Sequence, residues 1–179
     1  MRLFPVLIPA IVTLAAVAAQ AALLTGAPAP DFTVQAALAG RDFSFSLADA
    51  LKKGPVILYF YPKSFTKICT EEAHEFAEAA DEFAHLGASV IGVSADTIET
   101  QREFSSMECR DKFPVAADPD RRIIKAYDVA SDTSLVAKRT SFVIGPDGKI
   151  LSNVTDPGAD LHIRNALAVV RTWRAAQKN

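Results

Sequence analysis

The feature that most constrains the fold is an unbroken apolar run, PVILYFY, at residues 55–61. Runs of this kind are typical of strands buried on both faces, in sheets that carry helices on either side. A segment at residues 68–86 follows, with apolar residues spaced by alternating steps of four and three. These residues are Cys69, Ala73, Phe76, Ala80 and Phe83. The spacing predicts a helix whose apolar stripe packs on the sheet.

The rest of the chain alternates short apolar runs with helical patterns, and ends in a hairpin and a helix. The predicted elements are strands at 32–34 and 43–45, a helix at 46–54 capped by Ser46, a strand at 88–94, a helix from Asp96 to about 111, a strand and turn at 113–120, a short helix at 121–127, a hairpin at 141–154, and a last helix capped by Asp160. This order predicts a three-layer α/β sandwich with a mixed sheet.

Residues 1–21 are typical of a secretory signal peptide. A short positive start is followed by an uncharged, mostly apolar stretch and by Ala19-Gln20-Ala21, which fits a cleavage site. We therefore expect an exported, periplasmic protein without stable membrane association, and the alternative is an uncleaved membrane anchor. Residues 22–30, which contain APAP, are predicted to be a linker, and residues 31–179 a single domain.

Composition and spacing exclude several kinds of partner and cofactor. Lys and Arg are scattered through a chain of net charge −2, so no nucleic-acid footprint is present. The three histidines show no metal-ligand spacing with the two cysteines, and no glycine-rich loop suggests a nucleotide. We therefore expect a protein that works without a metal or an organic cofactor.

Cys69 is placed at the start of the predicted helix, directly after the buried strand. Free N–H groups and the helix dipole stabilise a negative charge there, which favours the reactive thiolate. A cysteine in this place can also be a small packing residue, and its position alone does not decide between the two.

The surrounding residues, Pro62 to Cys69, spell P-x-x-x-T-x-x-C. This motif resembles the active site of the peroxiredoxins, and the segments APAPDF, VILYFYPKSFT, FPVAADPD and RTSFVIGPDGKI resemble that family in the same order. The similarity is greatest to the Q-type, or bacterioferritin-comigratory, subfamily. It implies a thioredoxin-like fold with a C-terminal helix, and a thiol peroxidase that reduces hydrogen peroxide and organic hydroperoxides.

The resemblance also implies a role for each motif residue. Cys69 would attack the peroxide and become a sulfenic acid. The Thr66 hydroxyl would reach the thiolate or the peroxide, Arg139 would hold the thiolate and polarise the peroxide oxygens, and Pro62 would shield the thiolate from water. Taken singly, Pro62 could end a strand, Thr66 could be an N-cap, and Arg139 could be a surface charge. Thr66 stands where C-x-x-C reductases have a cysteine, which favours peroxide chemistry over disulfide exchange.

The second cysteine is compatible with two catalytic cycles, one that uses two cysteines and one that uses only Cys69. Many Q-type enzymes carry a resolving cysteine five residues after the first, but here that position is His74, which we expect to be a solvated or capping residue. Cys109, in the last turn of the following predicted helix, is the candidate resolving cysteine. If Cys109 is instead a structural thiol, an external thiol must reduce Cys69 directly.

The partners implied are a hydroperoxide and a thioredoxin-like or other thiol reductant, with the chain a monomer or weak homodimer. The alternative to an enzyme is a non-enzymatic thioredoxin-fold redox sensor or thiol-based binding protein.

Overall fold

The computed structural model describes residues 23–177, and the predicted signal segment lies outside them. Seven strands and five helices are arranged along this part of the chain. In chain order they are β1 (Thr33–Leu38), β2 (Arg41–Ser46), α1 (Leu47–Leu51), β3 (Val56–Phe60), α2 (Lys67–His85), β4 (Ser89–Ser94), α3 (Ile98–Met107), β5 (Val115–Ala117), α4 (Arg122–Ala126), β6 (Thr140–Ile144), β7 (Ile150–Thr155) and α5 (Asp160–Ala176).

The strands form one mixed sheet in the order β2-β1-β5-β4-β3-β6-β7. β3 runs parallel to β4 and antiparallel to β6, and β4 runs parallel to β5. Helices α1 and α4 cover one face of the sheet, whereas α2, α3 and α5 cover the other. The fold is therefore the predicted three-layer sandwich with a mixed sheet.

The apolar run that led to this prediction is β3, and all five of its residues are buried. Because side chains alternate along a strand, Leu58 and Phe60 enter the core beneath α1 and α4, while Ile57 and Tyr59 enter the core beneath α2, α3 and α5. The strand thus joins two separate cores, which explains why no polar residue interrupts the run.

Two helix starts differ from the prediction. The N-cap of α3 is Thr97, whose hydroxyl accepts from the Thr100 N–H, rather than Asp96. The Asp96 carboxylate instead accepts from the Ser64 N–H and the Ser94 hydroxyl, so it is committed to the loop before α2. Asp160 is the first residue of α5 and not its cap. The Ser46 cap of α1 is confirmed, since its hydroxyl accepts from the Asp49 N–H at 3.2 Å.

The predicted linker is docked on the domain from residue 23 onward. Gly26 N–H donates to the Ile150 carbonyl at 2.7 Å, and Ala29 N–H donates to the Gly148 carbonyl at 2.8 Å. Pro28 also forms an isolated bridge with Lys149. These backbone hydrogen bonds cover the β6–β7 hairpin, which a free linker would not do. In residues 23–177, no helix is both long enough and apolar enough to cross a membrane.

Tyr59 and Tyr61 point into the same core, beneath α2, α3 and α5, and they allow a matched test of how a buried hydroxyl affects stability. The Tyr59 hydroxyl is buried without a hydrogen-bond partner among the described residues, whereas the Tyr61 hydroxyl donates to the Gln101 side-chain oxygen at 2.8 Å. Removing an unpartnered hydroxyl releases a desolvation cost, but removing a bonded one leaves its partner unsatisfied.

We predict that Tyr59→Phe leaves the free energy of unfolding unchanged or raises it, and that Tyr61→Phe lowers it by about 1–3 kcal/mol. Urea denaturation of both variants beside the unchanged protein measures the difference. Equal destabilisation by the two substitutions would contradict the assignment of hydrogen bonds.

Candidate active site

Cys69 is the third residue of α2 and only 1% of its surface is exposed. β3 leads into the loop 61–66, and the helix begins immediately afterwards, so the thiol lies at the amino end of the helix close to the sheet. Its Sγ accepts a hydrogen bond from Nη2 of Arg139 at 3.2 Å. The thiol is therefore buried beside a cation at the end of a helix that favours negative charge.

Strand register is what brings Arg139 to this place. Thr140, the first residue of β6, pairs with Phe60, the last residue of β3, so Arg139 lies beside the point where the chain leaves the sheet toward Cys69. Only 8% of Arg139 is exposed. The alternative that it is a surface charge is thus excluded.

The guanidinium of Arg139 makes contacts in three directions. Nε donates to the Pro157 carbonyl at 3.1 Å, Nη1 donates to the Glu72 carboxylate, and Nη2 donates to Cys69. A planar group held at three of its nitrogens has little rotational freedom, and this rigid fork is a property that lysine lacks.

Glu72 is a site residue that the sequence reasoning missed. It lies three residues after Cys69 on the same face of α2 and is fully buried. Burial raises the pKa of Glu72 to about 8, against the lowering effect of Arg139, and its Oε1 has no hydrogen-bond partner among residues 23–177. A glutamate within the apolar stripe of a helix was the signal that could have revealed it.

Thr66 and Pro62 occupy the loop that precedes α2. Thr66 is in the N-cap position, but its hydroxyl donates to the Lys63 carbonyl at 2.9 Å and does not cap the helix. Among the described residues, this hydroxyl makes no hydrogen bond with Cys69. Pro62 is half-buried directly after Tyr61.

A network of hydrogen bonds holds the same loop in place. Ser64 N–H donates to the Asp96 carboxylate at 2.8 Å. The Gln101 side chain accepts from Tyr61 and Ser64 and donates to the Ser94 hydroxyl at 2.8 Å. These bonds attach the loop carrying Pro62 and Thr66 to β4 and α3.

Cys109 lies two residues beyond the end of α3, because the helix stops at Met107 and not near residue 111 as predicted. It is fully buried in the same apolar core as Cys69, and both cysteines are free thiols. Burial raises the pKa of Cys109 well above its ordinary value, so this thiol is protonated at neutral pH. The next two residues, Arg110 and Asp111, both have left-handed backbone conformations.

Two ion pairs and one histidine–carboxylate hydrogen bond hold the Cys109 segment, residues 108–112, against α2. They join Glu108 to His74 at 2.7 Å, Arg110 to Glu78 at 3.4 Å, and Lys112 to Asp81 at 2.9 Å. His74 therefore bridges two elements and is neither a cap nor fully solvated. In the part of the chain that the structure covers, no three His, Cys, Asp or Glu side chains are grouped as metal ligands would be.

The buried carboxyl of Glu72 gives a pH test of the site. Its pKa of about 8 in the folded chain lies above the ordinary 4.5, so the folded chain retains a proton that the unfolded chain releases in this interval. The resulting stabilisation is complete below the ordinary pKa and is lost as the pH rises through about 8.

We predict that Glu72→Gln removes this pH dependence. The difference in free energy of unfolding, unchanged protein minus variant, should fall between about pH 5 and about pH 9. Urea denaturation across this range measures it, with Glu71→Gln, an exposed glutamate on the same helix, as the control. Parallel stability curves for the unchanged protein and Glu72→Gln would show that the buried carboxyl does not titrate as described.

Comparison with known proteins identifies the family. The profile of the AhpC/TSA family matches residues 25–152. YkuU of Bacillus subtilis is 35% identical over 135 residues, which are 71% of this chain and 75% of that protein.

Solved structures agree with the sequence matches. The crystal structure of peroxidoxin BcpB from Mycobacterium tuberculosis is 32% identical, with a TM-score of 0.77, over 84% of this chain and 97% of that one. Peroxiredoxin Q of Xanthomonas campestris is 26% identical, with a TM-score of 0.70, over 79% and 91% of the two chains. The chain therefore belongs to the AhpC/TSA family of peroxiredoxins, with its relatives in the Q-type or bacterioferritin-comigratory branch, and it is a thiol-dependent peroxidase.

Proposed function

We propose that Cys69 is the peroxide-reacting cysteine of this peroxidase. The observation that carries the proposal is the 3.2 Å contact between its Sγ and Arg139, at the buried start of α2. The thiolate sulfur attacks the terminal oxygen of the hydroperoxide, the O–O bond breaks, and the departing alkoxide or hydroxide takes a proton. The sulfur is oxidised by two electrons to a sulfenic acid, and the peroxide is reduced to an alcohol or water.

Arg139 serves this step by stabilising charge. Its guanidinium neutralises the thiolate before the reaction, and it is positioned to stabilise negative charge on the departing oxygen as the O–O bond breaks. In our proposal the Thr66 hydroxyl turns from the Lys63 carbonyl to the thiolate or the peroxide, and Pro62 limits the access of water. Backbone N–H groups at the start of α2 provide further donors to the peroxide oxygens.

Cys109 is proposed to resolve the sulfenic acid. Its thiol would attack the Cys69 sulfur, forming a disulfide and releasing water, and an external thiol would then reduce the disulfide. Formation of the bond brings the two Cα atoms within about 7 Å. Both thiols are free and buried in the described structure, and we infer that the segment beyond α3 opens so that Cys109 can reach Cys69.

The segment around Cys109 is suited to local release. Each residue held in the left-handed region costs about 1–2 kcal/mol, and Arg110 and Asp111 are two such residues in succession. The ion pairs that hold the segment to α2 lie at the surface, where such pairs contribute about 0–1 kcal/mol each. Opening the segment therefore relieves backbone strain and breaks two weak surface ion pairs, and these changes offset part of the cost of exposing Cys109 and of breaking the half-buried His74–Glu108 contact.

The proposed reductant is a thioredoxin-like or other thiol donor, acting on a monomer or weak homodimer. We further infer export to the periplasm with removal of residues 1–21, because that segment has the charge and apolar pattern of a signal peptide. N-terminal sequencing of the protein from its native cell envelope tests the inference, and a chain that still begins at Met1 would contradict it.

One measurement tests both cysteine assignments. One equivalent of hydrogen peroxide is added to the reduced protein, and the product is identified by intact mass and peptide mapping. We predict loss of two hydrogens and a Cys69–Cys109 crosslink in the unchanged protein, a gain of one oxygen at Cys69 in Cys109→Ser, and no reaction in Cys69→Ser.

Arg139→Ala should react about 10²- to 10³-fold more slowly, because the buried cation is lost.

The outcomes separate the parts of the proposal. A gain of one oxygen in the unchanged protein would show a one-cysteine cycle and remove Cys109 from it. Undiminished reaction of Cys69→Ser would overturn the assignment of the peroxide-reacting cysteine. Undiminished reaction of Arg139→Ala would remove the role of the arginine alone.

A further inference from the structure

A fully buried histidine lies in the first turn of α5, on the side of Arg139 away from the sheet centre. His162 contacts two partners: its Nδ1 is 2.8 Å from the Ser141 hydroxyl, and its Nε2 is 3.1 Å from the Asp156 carbonyl oxygen. Both ring nitrogens are therefore satisfied without water. The reaction described above does not use this residue.

The two contacts determine where the ring proton lies. A carbonyl oxygen can only accept, so Nε2 carries the hydrogen, and in the neutral ring Nδ1 accepts from the Ser141 hydroxyl. Burial lowers the pKa of His162, and the positive charge of nearby Arg139 lowers it further, although the Asp156 carbonyl and carboxylate act in the opposite direction. The neutral ring is thus the form that fits this environment.

The Asp156 carbonyl, which accepts from His162, is next in the chain to the carbonyl that accepts from Arg139. Asp156 precedes Pro157, and the Pro157 carbonyl accepts from Arg139 Nε at 3.1 Å. The proline ring fixes φ of Pro157, which is one of the two backbone torsions that set the relative orientation of the two consecutive carbonyls. The Gly158 N–H also donates to the Asp156 carboxylate at 2.8 Å, which closes the turn.

Strand pairing places this turn beside the arginine. Thr155, the last residue of β7, pairs with Thr140, which follows Arg139 directly. Ser141 is two residues after Arg139, and residues two apart on a strand lie on the same face. His162 therefore contacts β6, the strand that Arg139 directly precedes. It also contacts the turn whose Pro157 carbonyl accepts a hydrogen bond from Arg139 Nε.

We propose that His162 is a positioning residue for Arg139, which it orients toward Cys69 by holding the Asp156–Pro157 turn. The inference rests on the proposed role of Arg139 in peroxide reduction. With the Pro157 carbonyl in place, Nε is held and Nη2 points to the sulfur. If the turn moves, the guanidinium keeps its Glu72 partner but loses its orientation toward Cys69.

Two conservative substitutions separate the two contacts of the ring. His162→Gln retains a donor near the position of Nε2, whereas His162→Asn retains a hydrogen-bonding group only near the position of Nδ1. The rate constant for oxidation of Cys69 by hydrogen peroxide is measured by rapid quenching with an alkylating reagent and mass spectrometry. We expect His162→Asn to be about 10- to 100-fold slower and His162→Gln to be close to the unchanged protein. Equal rates in the two variants, fast or slow, would overturn the proposal.

A double-mutant cycle tests whether His162 acts through the arginine. In the Arg139→Ala background, His162→Asn should add no further loss, because the group that it orients is absent. An additive loss would assign His162 a merely structural effect. If Arg139→Ala itself reacts at the unchanged rate, the proposed function of Arg139 fails, which is a result distinct from failure of the His162 inference.

A second readout needs only the glutamine variant and therefore remains decisive if His162→Asn does not fold. Protonation of His162 places a second positive charge near Arg139; the Asp156 carboxylate acts against this repulsion, and Glu72 is bonded to Arg139 itself. The ratio of the oxidation rates, unchanged protein to His162→Gln, should therefore fall as the pH is lowered. A ratio that does not change as His162 takes up its proton would contradict the positioning role.

Discussion

The site depends on one buried guanidinium, that of Arg139, held between a thiol, a carboxyl and a carbonyl. Taking a charge out of water costs several kcal/mol, and only correctly placed partners offset that cost. Here Cys69, Glu72 and Pro157 each accept a hydrogen bond from one nitrogen of the guanidinium. Because burial also raises the pKa of Glu72, a neutral form of this carboxyl is accessible, and the arginine is then available to the thiolate.

The sheet and its helices arrange these partners. The β3–β6 register brings Arg139 to the end of β3, and the start of α2 places Cys69 and Glu72 on one face of the helix. The β6–β7 pairing adds the turn with Pro157. The groups that contact the guanidinium thus come from two separate parts of the chain, α2 and the turn after β7, and a shift of one strand by one residue would separate them from Arg139.

The two cysteines occupy very different environments in a single core. Cys69 has a cation beside it, whereas Cys109 has only apolar surroundings and the nearby Glu108, both of which raise its pKa. This contrast keeps the proton on Cys109 and gives Cys69 surroundings, a cation and the amino end of a helix, that can stabilise negative charge. The buried thiol of Cys109 is followed directly by strained backbone at Arg110 and Asp111.

The sequence alone determined the fold class, the family and the position of Cys69, because the apolar period and the P-x-x-x-T-x-x-C spacing are local patterns. It also indicated Arg139 by resemblance, but not its contacts. The tertiary structure decided what depends on distant segments: the burial of Glu72, the end of α3 at Met107, the commitment of Asp96 to a loop, and the link from His162 to Arg139. Local spacing does not encode the burial of Glu72, the contacts of Asp96 or the contacts of His162, because each depends on residues that are distant in the sequence.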